Sequence, residues 1–214
     1  MLFLINKCLI TDKNEKKIIV DFCSGGGHLG ILVAYMHPNC IVKLVENKEE
    51  SLEFAINRIQ SLNLKNCSLY KGNLTNFVGK FNIGIGLHAC GSMTDLLIEK
   101  CIKSQADVLL APCCYGSIKQ NDMIKYPRSN LISDLFLSLD CKNLAEDYYK
   151  LCNYADRTEK NIEYEQTAYT CMSIIDTDRL VYLSENNYKH LQLNKMKPED
   201  CTTKNNLILA KYNK

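Results

Sequence analysis

Residues 21–30 read Asp21-Phe22-Cys23-Ser24-Gly25-Gly26-Gly27-His28-Leu29-Gly30 and follow the branched run Ile18-Ile19-Val20. A strand that ends in glycines and reopens as a helix brings main chain close to a ligand. Glycine turns without a Cβ in the way, and the helix N-terminus carries partial positive charge. Working outward, strand-like runs fall at 17–22, 41–46 (IVKLVE), 67–71 (CSLYK), 82–87 (NIGIGL) and 106–111 (ADVLLA). Helix patterns fall at 28–37, stopped by Pro38; at 48–61, with Leu52, Ala55, Ile56 and Ile59 on one face; and at 93–103. Strict alternation of strand and helix predicts a parallel sheet with right-handed crossovers, and the near-continuous apolar strands suit a sheet covered on both faces.

The alternation stops after residue 116. Residues 117–166 are polar and tyrosine-bearing, with helices predicted over 129–138 and 142–153, and they read as a substrate-side insertion. A helix over 167–185 and two strands, HLQLNKMKP and NLILAKY, follow. The expected architecture is an α/β, doubly wound, Rossmann-like sheet of seven strands, five parallel plus a closing antiparallel pair, in one domain spanning residues 1–214. Gly84 and Gly86 leave one face of the fourth strand bare for a close neighbour.

Hydrophobic residues make up 46% and charged residues 23%, which excludes a disordered or fibrous chain. The opening MLFLIN is too short to span a membrane and lacks a cleavage site, so no membrane or signal segment is expected. A net charge of +2 means that any nucleic-acid contact needs a local patch. The twelve cysteines sit mostly in hydrophobic segments, as Cys40, Cys101 and Cys171 do, and read as reduced thiols of a cytoplasmic protein. With no C-x-x-C pair and four histidines, no metal is expected.

Gly25, Gly27 and Gly30 spell G-x-G-x-x-G, and Glu46 lies nineteen residues after Gly27, placed to hold ribose hydroxyls. That pattern alone does not separate a dinucleotide from other nucleoside cofactors. Asp21 does: its carboxylate would repel a pyrophosphate but suits the cationic amino end of S-adenosylmethionine. The spacing Asp21-x-Cys23-x-Gly25-x-Gly27 resembles the methyltransferase motif D/E-x-G-x-G-x-G, with cysteine for the first glycine. An aspartate capping the turn is the plainer reading. S-adenosylmethionine is the expected cofactor, held by Asp21, Cys23, Gly25, Gly27, His28, Glu46, Asn47, Asn73, Leu74 and His88, with Asn73 and Leu74 where this fold contacts adenine.

Two further loops sit at the carboxyl ends of strands, His88-Ala89-Cys90-Gly91 and Pro112-Cys113-Cys114-Tyr115-Gly116. His88, Cys90, Cys114 and Tyr115 are the candidate catalytic residues. His88, whose side chain type titrates near neutrality, reads as a base or a positioning group. Ser92-x-x-Asp95 reads equally as a capping box or a catalytic pair, and Cys113 and Cys114 also read as small packing residues, or as a metal half-site or nucleophile without a paired base in sequence reach. Tyr126, Arg128, Tyr148 and Tyr149 are expected to stack on bases and contact phosphates.

The runs DFCSGGGHLGILVAYMHP, ENKEESLEFA, FNIGIGLHACGSMTDLLIEKCI, PCCYGSI, YPRS and CNYADRT carry a resemblance to a known family. From about residue 17 onward the chain resembles the methyltransferase domain of the glutathione S-transferase C-terminal-domain-containing protein family. The resemblance implies a class I S-adenosylmethionine-dependent methyltransferase. That family also carries an N-terminal glutathione-transferase-like region, and nothing like it is visible here. HACG-x-x-TDL with a later CC-aromatic motif also resembles the tRNA 2′-O-methyltransferases of the acceptor stem, although CCYG stands where they have CCHH. It implies an RNA nucleoside of tRNA or rRNA as acceptor. The alternatives are a protein or small-molecule acceptor, or a cofactor-binding interaction module without turnover.

Overall fold

Alternate residues of β1 (Ile18–Phe22) serve opposite cores: Val20 and Phe22 enter one buried cluster, Ile19 the other. A strand buried on both faces belongs at the centre of a sheet. In the computed structural model, which describes residues 1–12, 14–120, 122–159 and 162–213, β1 lies between β2 (Ile41–Glu46) and β4 (Ile83–Cys90). The sheet order is β3-β2-β1-β4-β5-β7-β6, with β3 at Cys67–Lys71, β5 at Asp107–Cys113, β6 at Tyr188–Lys195 and β7 at Asn206–Tyr212. The pairs β5–β7 and β6–β7 are antiparallel and the other pairs parallel, as the sequence predicts.

One face is covered by α2 (His28–Met36) and α3 (Glu49–Ser61), the other by α4 (Ser92–Ser104), α6 (Leu144–Ala155) and α7 (Ile162–Glu185). α4 comes close because the fourth strand is bare: a Cβ on Gly84 would stand 2.3 Å from Cys101 Sγ, and one on Gly86 2.8 Å from Leu97 Cδ1. Strand order reverses between β1 and β4, so the carboxyl ends of these strands open the crevice where doubly wound sheets bind ligands. Among the described residues no helix is long and apolar enough to cross a membrane.

Three elements differ from their sequence reading. α1 (Leu2–Leu4) and a following turn at Ile5–Leu9 bury Ile5 and Leu9 against the α2 side of the sheet, so the opening apolar run is core. β4 runs on to Cys90, past a bulge between Leu87 and Ala89, which puts His88 and Cys90 in the strand and not in a loop. α7 begins at Ile162 and not near 167.

The helices α5 (Asn130–Ser138) and α6 form near their predicted positions, but the polar groups around them turn inward. Arg179 of α7 donates Nε and Nη2 to Asp95 at 3.0 and 2.8 Å, and Nη1 to Asp176 at 3.0 Å. Tyr126 donates to Asp95 at 2.9 Å; Arg128 pairs with Glu99 and lies against the Tyr182 ring, 4.1 Å from its centre. Asp178 accepts the Arg128 and Ser129 N–H groups at 2.8 Å each, fixing Ser129, whose hydroxyl caps α5. Tyr126, Arg128 and Tyr148 are therefore interior groups and not a nucleotide platform, and Tyr149 is half-buried with its ring edge against Tyr126. Asp95 is likewise neither cap nor catalyst: α4 starts at Gly91 with no side-chain cap, and Asp95 is fully buried. Burial alone would raise its pKa, but the Arg179 and Arg128 guanidiniums outweigh that and hold it below the usual carboxylate range.

Removing one member of a buried ion network strands the others. Arg179→Leu leaves Asp95 and Asp176 without their cation and should cost about 3–5 kcal/mol, whereas Tyr126→Phe removes one hydrogen bond and should cost about 1 kcal/mol. Urea denaturation followed by circular dichroism measures both, and equal midpoints for Arg179→Leu and the parent protein would rule the network out as a structural bolt.

Candidate active site

The ends of β1, β2 and β4 surround a cavity of about 490 Å³, within the range of small-ligand sites. Its wall includes Asp21, Cys23, Gly25, His28, Glu46, Asn47, His88 and Cys90, all singled out in the sequence, and also Ser24, Lys48, Leu87 and Met93, which were not. Gly27 is not on the wall. It is the N-cap of α2 at φ +75°, and a Cβ there would meet Ile31 and Leu44 side chains at 2.8 Å.

Glu46 shapes the glycine loop. Its Oε2 accepts the Gly25 N–H at 2.8 Å, and Oε1 accepts the N–H groups of Asn47 and Lys48 at 2.8 and 2.9 Å. A carboxylate has about four acceptor positions, so one remains on Oε2 for a ribose hydroxyl. Asp21 is the second anchor. Its Oδ2 accepts the Gly30 N–H at 2.9 Å, and its Oδ1 is buried without a partner. Gly30 is required here, because a Cβ would fall 2.3 Å from Leu44 Cδ2 and 2.9 Å from Asp21 Oδ2. Burial, with some help from Glu46, pushes the Asp21 carboxyl up to about 7, against the opposing pull of the Gly30 N–H. A buried acceptor without a partner on the wall of a cavity that Glu46 also lines fits a cofactor with an ammonium at one end and ribose hydroxyls at the other.

Burial, then Glu46 and Asp21, pushes the Cys23 thiol up to about 11, so it lines the wall as a neutral group. Asn73 and Leu74 do not touch the main cavity. They border a small one of about 50 Å³ that shares Cys23, Glu46, Asn47 and Met93 with it, and Asn47 Nδ2 donates to Asn73 Oδ1 at 2.9 Å.

On the opposite side, His88 and Cys90 are exposed at the end of β4. Cys90 Sγ lies 3.1 Å from Cys113 Sγ and 3.3 Å from Cys114 Sγ. Burial, then the Cys90 sulfur, raises both Cys113 and Cys114, so Cys114 is poorly poised as a free nucleophile. Cys23, His88 and Cys114 hold left-handed backbone at φ +54°, +62° and +49°, each at the end of a central strand. Such strain costs on the order of 1 kcal/mol or more per residue and persists where the surroundings enforce it.

Tyr115 is corrected by the structure. Its side chain is fully buried, its hydroxyl donates to Asp176 at 2.7 Å, and burial with that carboxylate raises it well above the ordinary tyrosine range. It supports the loop from beneath and cannot reach a substrate. A residue missed in the sequence holds the loop from the other side. Asp156 accepts the Tyr115 and Gly116 N–H groups at 3.0 and 2.6 Å, and a Cβ on Gly116 would stand 2.8 Å from its Oδ2. Forty residues separate the two partners, and nothing in the local sequence couples them.

Residues 1–121 match a family described as a methyltransferase domain. Over 195 residues, 90% of this chain, it is 41% identical to the glutathione S-transferase C-terminal domain-containing protein of Mus musculus. Over 200 residues, 91% of the chain, it is 42% identical to the homolog from Drosophila melanogaster. The chain spans 29% and 33% of those two proteins. Among solved structures, the Methanococcus jannaschii fibrillarin pre-rRNA processing protein aligns with a TM-score of 0.56 at 10% identity, over 94% of this chain and 68% of that one. The S-adenosylmethionine-dependent methyltransferase SibL aligns with a TM-score of 0.55 at 11% identity, over 99% and 54%. With the family matched over more than half its length and the sheet built as in these neighbours, the chain belongs to the methyltransferase-domain family and has the class I, S-adenosylmethionine-dependent fold.

Proposed function

We propose that this domain transfers the methyl group of S-adenosylmethionine to an RNA nucleoside. The observation that carries the transfer reading is the buried, unpartnered Asp21 Oδ1 beside a glycine loop that Glu46 holds by three main-chain bonds. S-adenosylmethionine supplies a methyl on a positive sulfur, so displacement by an acceptor lone pair breaks the carbon–sulfur bond and leaves a neutral thioether. The chain then has two tasks: to hold the reacting atoms in line within a cavity that excludes water, and to remove the acceptor's proton. Asp21 would hold the ammonium, Glu46 a ribose hydroxyl, and His88, exposed on the opposite wall, would take the proton.

The RNA reading rests on the likeness of HACGSMTDL and PCCYG to the acceptor-stem methyltransferases. With Tyr126, Arg128 and Tyr148 in the interior, the surface contacts fall to Tyr154 and Arg157. Both are exposed, they flank the Asp156 that grips the Cys114–Gly116 loop, and Arg157 lies 4.5 Å from the Tyr154 ring centre. A guanidinium on a tyrosine face is a ready surface for a base and its phosphate. We place the activity in the reducing cytoplasm, where the cysteines stay free.

Asp21 makes cofactor binding pH-dependent. A carboxyl at about 7 is mostly protonated below neutrality, whereas binding a cation favours its ionised form, so binding releases a proton. Affinity for S-adenosylhomocysteine should rise with pH, by up to roughly tenfold per unit below 7, and level off above it. The same raised pKa makes the cofactor-free fold lose stability as pH climbs from 3.8 to about 7, because the folded state holds the proton more tightly. Calorimetry from pH 5.5 to 7.5 checks the first effect. A flat profile, or one that Asp21→Asn leaves intact, would remove Asp21 from the ammonium site.

On the acceptor side, His88→Ala should slow transfer by about 10²–10⁴-fold while S-adenosylhomocysteine affinity stays within a few-fold. Arg157→Ala should weaken RNA binding and reduce its salt dependence, because a phosphate contact that releases a counterion is lost. Single-turnover methylation of unmodified tRNA and rRNA fragments tests both. No RNA affinity even at low salt would shift the acceptor to a protein or small molecule.

A further inference from the structure

We propose that Cys90, Cys113 and Cys114 form a three-thiolate site for a zinc ion at the edge of the cofactor cavity. The three sulfurs come from two neighbouring strand ends and all lie within 4.8 Å of one another, with the closest pairs at 3.1 and 3.3 Å. Thiolates about 2.3 Å from a tetrahedral zinc stand roughly 3.8 Å apart, so the triangle brackets the size that the ion requires. Cys90 and Cys113 are register partners in β4 and β5, and parallel partners present side chains to the same face. Consecutive strand residues point to opposite faces, so Cys114 would normally turn away. Its left-handed backbone, φ +49°, brings its sulfur back to the other two. The bonds of Tyr115 and Gly116 to Asp156 and of Tyr115 to Asp176 enforce that strained conformation, and its result is a third sulfur beside the other two.

The surroundings hold the triangle in place. The Gly91 N–H donates to the Cys113 carbonyl at 3.0 Å, and Asp156 grips the two residues after Cys114. These bonds fix the main chain that carries Cys113 and Cys114. Cys113 is buried, while Cys90 is exposed and lies on the cavity wall, which provides an entry path, and three protein sulfurs leave one of the four tetrahedral positions for another ligand. Thiolates select zinc over magnesium or calcium, and three protein ligands with an open position are the arrangement of zinc sites that activate a bound molecule. On binding, each thiol would lose its proton to solvent and donate a sulfur lone pair to the ion. If the methyl-transfer reading holds, the open position beside His88 would bind the acceptor's nucleophilic atom and ease its deprotonation. In the sequence the vicinal pair reads at most as a metal half-site, because the third ligand is one cysteine twenty-three residues away, with no C-x-x-C spacing.

The probe is cobalt, added to the reduced full chain and then displaced by zinc. One cobalt per chain should bind and give a thiolate-to-cobalt charge-transfer band in the near ultraviolet, which one equivalent of zinc abolishes. Cys90→Ser and Cys114→Ser should each lose the band, and Cys201→Ser, an exposed cysteine outside the cluster, should keep it. Circular dichroism on each variant separates loss of the site from loss of the fold, and Cys90, being exposed, is the least disruptive to change. The proposal is overturned if the folded parent protein gives no charge-transfer band, if the band survives Cys90→Ser, or if peptide mapping finds a Cys90–Cys113 or Cys90–Cys114 disulfide that reduction does not convert into a metal-binding form. A protein that binds one zinc yet transfers no methyl to RNA would keep this site and discard the RNA reading alone.

Discussion

Main-chain N–H groups at the ends of buried strands need acceptors, and in this molecule carboxylates supply them. Glu46 takes three such groups, Asp21 takes Gly30 and Asp156 takes Tyr115 and Gly116. A buried N–H left unpaired costs about 1–3 kcal/mol, so each carboxylate stabilises its loop and fixes the loop's shape together. The arrangement also sets the charge of the crevice. Two acids at the ends of β1 and β2 face one cavity, which favours a cationic ligand and disfavours a pyrophosphate. The glycine pattern is common to both cofactor classes, and the carboxylates at its edge discriminate between them.

The same loops carry the backbone strain. A glycine at position 23 would adopt φ +54° freely, and the cysteine there adopts it at a cost. Its neutral thiol covers part of the wall between the main cavity and the small one beyond Glu46. His88 is strained for a different reason: it is the one extra residue of the bulge between Leu87 and Ala89, and it lines the cavity wall. A regular strand in its place would alternate faces and carry every later side chain to the opposite side.

The sheet was legible in the sequence because periodicity is local: five branched runs alternating with helix-patterned segments mark the parallel strands up to β5, and the closing pair follows. The cavity wall was legible for a similar reason. Asp21 to Gly30 is one continuous turn, and Glu46 ends the next strand. What local pattern could not reveal were partners far apart in the chain. Asp95 and Arg179 are 84 residues apart, and Asp95, which alone reads as half of a capping box or of a catalytic pair, gives no local sign of Arg179. Tyr126 and Arg128 were misplaced because a polar, aromatic stretch after the fifth strand has the composition of an exposed lid. Their burial follows from acids on α4 that only the folded chain brings near. The runs TDL and YPRS that carried the family likeness thus contain, in Asp95, Arg128 and Ser129, groups that hold the fold together and do not touch the crevice.

This gives the segment between β5 and α7 a different role from a substrate lid. Asp178 fastens it to α7 through the Arg128 main chain and the α5 cap, Arg179 and Tyr126 meet on Asp95 of α4, and α6 delivers Asp156 to the loop after β5. Asp176 joins the two halves, since it accepts from both Tyr115 and Arg179. Any shift of α7 would therefore move Tyr115, and with it the left-handed turn that positions the Cys114 sulfur. The geometry of the crevice beyond β4 and β5 is set by ion pairs inside the protein, and a substitution in that interior would act on the crevice without lining it.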